Sequence, residues 1–212
     1  MPVYLKDNIK VLFVHIPKCG GSSFSERMTD RGWREVLSIK GIHAERLNFL
    51  YCSLQHMHAS KLKQMVHPCK FDNILTLVRN PVNRLKSEYT WQVRQGMTNL
   101  APRKWINRVF SEYEKNNFVF DNHIRPQHEF LLDSSLIFKL EEGGVSQAVE
   151  AVSSKPPERG FFESLFNKDK KNLKKTNKSL SVNKAFKNNR SKIQNFYSDD
   201  YETLNYEMKD KK

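Results

Sequence analysis

The chain has 212 residues, enough for one domain with a sizeable core. Hydrophobic residues make up only 38%, and no apolar run approaches the roughly 18 residues of a membrane span. Three cysteines, Cys19, Cys52 and Cys69, form no CxxC pair, which argues against a disulfide scaffold or a cysteine zinc site, while a net charge of +13 points to anionic partners.

The first apolar run, Ile9 to Ile16, contains Val11-Leu12-Phe13-Val14 and predicts a buried strand over 10–16. It is too short for a secretory signal. It breaks into Pro17-Lys18-Cys19-Gly20-Gly21-Ser22-Ser23-Phe24, read as a tight glycine turn opening a helix over 21–31. The backbone amides of such a turn, with a helix N-terminus behind them, form an anion site. Gly20 and Gly21 let the backbone approach a phosphate, Lys18 adds a mobile charge, and Ser22 and Ser23 add hydroxyl donors. In a Walker A loop the lysine follows the glycines, whereas here it precedes them. Cys19 is either a small residue that fits this loop or a thiolate favoured by Lys18 and the helix N-terminus.

A strand is expected over 35–39, with 51–54 as a possible fifth strand. His56 and His58 stand ahead of a helix over 59–66. The next apolar run predicts a strand over 73–79, followed by R-N-P-x-x-R-x-x-S-x-Y from Arg79 to Tyr89. Pro81 suits the first position of a helix over 81–93. Arg79 at the strand end and Ser87 two turns into that helix can converge on one dianionic phosphate. Arg84, on the same face as Ser87, is either part of that site or a structural ion-pair residue. Further helices are expected over 102–115 and 144–152, with a strand over 135–140.

Lys155-Pro156-Pro157 begins a turn within a loop expected over about 154–181, and a helical region follows over 182–206. Residues 168–192 carry ten lysines and arginines against the single acid Asp169. That stretch either clamps nucleotide phosphates, holds an acidic acceptor, or is a solvated face. No aromatic-rich recognition module accompanies the charge, so nucleic acid is not the expected partner. Strands alternating with helices predict a single α/β domain over 1–212, a parallel sheet flanked by helices. Both phosphate motifs then sit at the carboxyl ends of the strands, where open α/β sheets bind their ligands.

Pro17 to Ser23 resembles the 5′-phosphosulfate loop of sulfotransferases that use 3′-phosphoadenosine-5′-phosphosulfate (PAPS), and Arg79 to Tyr89 resembles their 3′-phosphate motif. The resemblance runs over about residues 9–206 and is nearest to the carbohydrate, heparan sulfate 2-O-sulfotransferase-like subgroup. It implies the sulfotransferase variant of the phosphate-loop NTPase fold, with PAPS bound by Lys18, Cys19, Gly20, Gly21, Ser22, Ser23, Phe24, Arg79 and Ser87. Gln55 to Ala59 resembles the subgroup segment in which a histidine is the general base, which implies His56, with His58 as the competitor. Asn122 to Gln127 resembles a substrate-side loop, making His123, Arg125 and Gln127 acceptor candidates that otherwise pack locally. Asn177-Lys178-Ser179 resembles a late loop closing over the nucleotide. The implied reaction moves a sulfuryl group to an acceptor hydroxyl, of a glycan in the subgroup's manner, and needs no metal. Eukaryotic relatives are usually anchored in the Golgi, so the unanchored sequence is expected in the cytoplasm, or in the Golgi lumen if it is a trimmed piece. Two other classes fit the cradle alone: a phosphate-loop kinase, and a non-catalytic binder of anionic glycans or nucleic acid.

Overall fold

The computed structural model describes residues 2–38, 49–153 and 177–208. Five strands form one sheet: β1 (Val3–Lys6), β2 (Ile9–Val14), β3 (Arg34–Val36), β4 (Asn73–Val78) and β5 (Ser135–Lys139), in the order β3-β1-β2-β4-β5. The pairs β2–β4 and β4–β5 are parallel, with Val14 opposite Thr76 and Val78 opposite Lys139. Central β2 and β4 are near-continuous apolar runs because helices cover both faces. Val11 to Val14 and Leu75, Leu77 and Val78 are at most 1% exposed.

The single α/β domain is as expected, but its sheet is mixed rather than wholly parallel. β1 runs antiparallel to both β2 and β3. Asp7 and Asn8, both at positive φ, form the two-residue turn that folds β1 back on β2. The strand expected over 35–39 is the short Arg34–Val36, and residues 51–54 form no strand but lead into a 3-10 turn at Leu54–His56.

Helices α1 (Gly21–Asp30), α2 (Ala59–Met65), α3 (Pro81–Arg94), α4 (Pro102–Lys115) and α5 (Gly144–Ala151) lie within two residues of their predicted ends. The helical region expected over 182–206 starts earlier and divides into α6 (Asn177–Asn188), α7 (Arg190–Phe196) and α8 (Ser198–Thr203). Most of the loop expected over 154–181, and half of the basic stretch, lies outside the described residues. No described helix is long and apolar enough to cross a membrane.

Two cores result. The first joins the sheet to α1 and α5, with Phe24 stacked on Phe13 at 4.4 Å and edge-on to Tyr4. The second joins α3, α4 and α6–α8 around Tyr89, Trp105, Phe110, Phe186 and Tyr197. Each such fully buried apolar side chain stabilises the fold by about 1.5–3 kcal/mol. A polar chain links this second core to the site: Trp105 donates to Gln92 at 2.9 Å, and Gln92 donates to Glu88 at 2.8 Å.

Candidate active site

The loop after β2 is shaped by backbone. Lys18 (φ 67°) and Gly20 (φ 96°) alternate in the left-handed region, and the Cys19 amide closes the turn onto the Ile16 carbonyl at 3.4 Å. No side chain caps α1, and no acid occupies its first turn. The first amides of a helix have no partners within it, so they face the space before Gly21 as anion donors. Ser22 and Ser23 are exposed beside them. Gly21 is obligatory for a steric reason: a Cβ there would lie 2.2 Å from Nε2 of His15.

The remaining loop residues act otherwise. Cys19 is buried, its thiol donating to Gln127 Oε1 at 3.3 Å and to the Pro17 carbonyl at 3.7 Å. Burial pushes that thiol up to about 12, so the thiolate reading is corrected: Cys19 is a neutral packing residue. Phe24 is likewise corrected. Its ring fills the first core and its amide is spent on the Gly20 carbonyl, so neither faces a ligand.

The loop after β4 closes against this cradle. Pro81 opens α3 as predicted, with Asn80 as its cap. The Asn80 amide donates to Glu141 Oε1 at 2.9 Å. Arg79 donates from its guanidinium to the Lys18 carbonyl at 3.2 Å, which joins the two phosphate motifs. Ser87 is half-buried two turns into α3. Arg84 is 2% exposed and donates to three carbonyls, of Pro17, His123 and Arg125, at 2.8–3.0 Å. It is a structural clamp, with carbonyls where an ion pair was one expectation.

Gln127 and Arg125 are corrections among the acceptor candidates. Gln127 is fully buried and brackets Arg79 on both sides, accepting from its amide at 2.9 Å and donating to its carbonyl at 2.8 Å. Its own amide donates to Asp200, which fastens α8 to the loop. Arg125 is 2% exposed, and its guanidinium is occupied by Asn122, Glu129 and the Asn117 carbonyl. Both side chains are committed internally because a buried polar group left unpaired is costly. Asn177, Lys178 and Ser179 start α6, but their side chains lie outside the described residues.

His56 and His123 converge with a histidine to which the sequence assigned no role. The rings of His15, His56 and His123 form a row with centroids 5.0 and 4.9 Å apart. Trp91 lies 5.2 Å beyond His123, and the Lys18 ammonium sits 4.8 Å over the Trp91 ring. His56 Nδ1 pairs with Asp121 Oδ2 at 2.7 Å, and His123 Nδ1 with Glu88 Oε2 at 2.6 Å. His58 is not in this row; it packs on Phe118 at 5.5 Å.

The turn aiming Asp121 at His56 is strained. Phe120, Asp121 and Asn122 all have positive φ, which disfavours L-residues and concentrates at functional sites. The Ser53 amide donates to Asp121, and Asn122 donates to the His56 carbonyl at 2.8 Å. Gln55 Nε2 lies 3.2 Å from His56 Nε2, which makes Nε2 the acceptor and leaves the proton on Nδ1 facing Asp121. Burial pulls the His56 pKa down to about 4 against the opposing pull of Asp121, so the ring is neutral at pH 7 and its Nε2 carries the free lone pair. Burial alone would raise the Asp121 and Glu88 carboxyls, but their histidine partners outweigh it and both stay below their ordinary values. Burial also lowers the Lys18 pKa, with Glu88 opposing.

Sequence reasoning missed His15, Glu88, Trp91, Asp121 and Asp200. His15 had a faint signal, as a polar residue ending an apolar run directly before the phosphate loop. Fold and site together define an α/β protein with a neutral histidine–carboxylate pair beside an uncapped helix N-terminus. The Sulfotransferase family profile matches residues 2–207, and the chain belongs to that family. Its chemistry is therefore sulfuryl transfer to a hydroxyl-bearing acceptor. No curated protein and no solved structure gives a significant match.

Proposed function

We propose that this protein transfers a sulfuryl group from PAPS to a hydroxyl of a carbohydrate, with His56 as general base. The observation that carries the reading is the His56–Asp121 pair, its basic Nε2 separated by one histidine ring from an uncapped helix N-terminus. The cradle suits a phosphate-bearing cofactor in its donors and charge: an uncapped helix N-terminus, exposed Ser22 and Ser23, and the Arg79 guanidinium drawn to the Lys18 carbonyl. PAPS, when bound, supplies an activated sulfuryl group and a phosphate able to leave with the bonding electrons.

Lys18 and the amides of Gly20 and Gly21 would hold the cofactor's 5′-phosphate and stabilise negative charge there, the type of electrostatic contribution that is usually largest. His56 Nε2 takes the acceptor's proton as the new S–O bond forms, the hydroxyl replacing Gln55 as donor to that nitrogen. Asp121 holds the tautomer and stabilises the imidazolium. Arg79 and Ser87 hold the 3′-phosphate and so select PAPS over ATP. The carbohydrate assignment rests on the resemblance of Gln55–Ala59 and Asn122–Gln127 to the carbohydrate subgroup.

Calorimetric titration with 3′-phosphoadenosine-5′-phosphate, with ADP as control, tests the cofactor. Micromolar binding at least about tenfold tighter than ADP, a gap of about 1.4 kcal/mol, is expected. Arg79→Ala should remove most of that preference. Equal affinities would sink the PAPS reading and favour a kinase, and no nucleotide binding with tight glycan binding would favour a non-catalytic binder.

A further inference from the structure

The donors of the histidine row also make a metal-binding set. His56, Asp121 and His123 each present a ligand atom, and these atoms lie within 4.8 Å of one another. Two imidazoles and one carboxylate, with a fourth position open, suit Zn²⁺ and neighbouring divalent transition metals. His56 lies 65 residues from Asp121, which stands two before His123, so no compact ligand motif announces the set.

Each ligand is braced from behind. Glu88 holds His123 Nδ1 at 2.6 Å, the carboxylate–histidine arrangement that leaves the other ring nitrogen for a metal. The Ser53 amide holds Asp121, and the Asn122 side chain ties the His56 backbone. Asp121 in the set and Glu88 behind it balance a double positive charge. A zinc ion about 2.1 Å from each donor needs donors about 3.4 Å apart, so the widest separation must close by somewhat over 1 Å. Binding also displaces the proton that His56 Nδ1 shares with Asp121.

We propose that His56, Asp121 and His123 bind a divalent transition-metal ion of the zinc class, and that the bound ion switches the transferase off by claiming its base. The binding half stands on geometry alone, while the switch rests on the function proposed above. An ion on this set engages both members of the His56–Asp121 pair, so His56 no longer receives a proton under Asp121's control.

The test is calorimetric titration of EDTA-stripped protein with Zn²⁺, with Mg²⁺ as control. One ion at micromolar or tighter Kd is expected, weakened at least tenfold by His123→Gln and by Asp121→Asn. His67→Gln, at an exposed histidine beside Cys69, should change nothing. Co²⁺ gives a second readout on the wild-type chain, needing no variant to fold: visible d–d bands with no thiolate charge-transfer band. Absence of binding, weakening by His67→Gln, or a thiolate band would each overturn the site. Zinc bound at one equivalent should abolish turnover, and EDTA should restore it; full turnover with the ion bound would overturn the switch. A chain that binds one ion yet turns over nothing when metal-free refutes the transferase reading and the switch, and leaves the metal site standing.

Discussion

The loop after β2 is made by backbone, whereas the wall opposite it, Phe120–Gln127, is made by side chains. In the first, left-handed residues, an uncapped helix and glycines shape the proposed anion site locally. In the second, three left-handed residues are held by Asp121, Asn122 and Gln127, which bond to partners distant in sequence, and by Arg125, which braces the turn locally through Asn117, Asn122 and Glu129. A backbone site depends on what is absent, a Cβ or a cap. A side-chain site depends on a network in which every buried group is satisfied. Substitutions therefore act differently in the two regions.

The largest effect is expected at the two residues that meet the reacting groups. Lys18→Ala and His56→Ala should each lower kcat by about 10³-fold or more, followed as sulfate transfer from labelled PAPS, with His56→Ala also lowering Tm because it strands the Asp121 carboxylate. A fully active His56→Ala enzyme would remove His56 from the mechanism and promote His58. Next comes Arg84, whose removal strands three buried carbonyls. Arg84→Met should destabilise by about 3–5 kcal/mol in urea unfolding, and an unchanged midpoint would contradict its role as a clamp.

Asp121→Asn should cost about 10²-fold in kcat, because the amide would donate to His56 Nδ1 and reverse the tautomer. A purely structural Asp121 would instead lose stability while keeping its kcat and pH profile. On the backbone side, Gly21→Ala should destabilise by about 1–3 kcal/mol through collision with His15. His15→Ala in the same chain should recover most of the lost Tm; failure of that rescue would show that the clash is not the cause.

The smallest effect is on pH dependence, and it again separates the regions. Burial holds His56 near 4 and His15 well below its ordinary value. Unfolded histidines titrate near ~6.5, so below that pH the unfolded chain binds more protons and stability falls on acidification. The loss is at most about 1.4 kcal/mol per pH unit for each of these histidines until its folded value is reached. His128, raised by its hydrogen bond to Asp200, works in the opposite sense and gains stability as pH drops. Unfolding followed from pH 7.5 to 4.5 should show a net decline that His56→Ala makes shallower, and a flat wild-type profile would contradict the burial argument.

Most of the fold was legible because its signals are local. The apolar runs of β2 and β4, the lysine before two glycines, and Pro81 behind Asn80 each act within a few residues. β1 escaped notice because four residues at an antiparallel edge carry little periodicity, although Asp7-Asn8 is a legible hairpin turn. The family resemblance also placed Cys19 and Phe24 among the cofactor residues and Arg125 and Gln127 among the acceptor residues. Each stands in a chemically suggestive segment, and only packing reveals that thiol, ring, guanidinium and amide are turned inward.

By itself the sequence determined the α/β class, the glycine turn opening α1, the strand-to-helix junction at Pro81 and the start of α2 behind His58, since each is encoded in contiguous residues with a definite spacing. Only the tertiary structure decided which histidine is paired with a carboxylate, that Arg84 and Gln127 bind backbone rather than ligand, and that His15, His56 and His123 share one row. Those relations join residues dozens of positions apart, and no spacing rule carries them. They exist because closing the sheet and the second core leaves these polar groups nowhere to be satisfied except by one another.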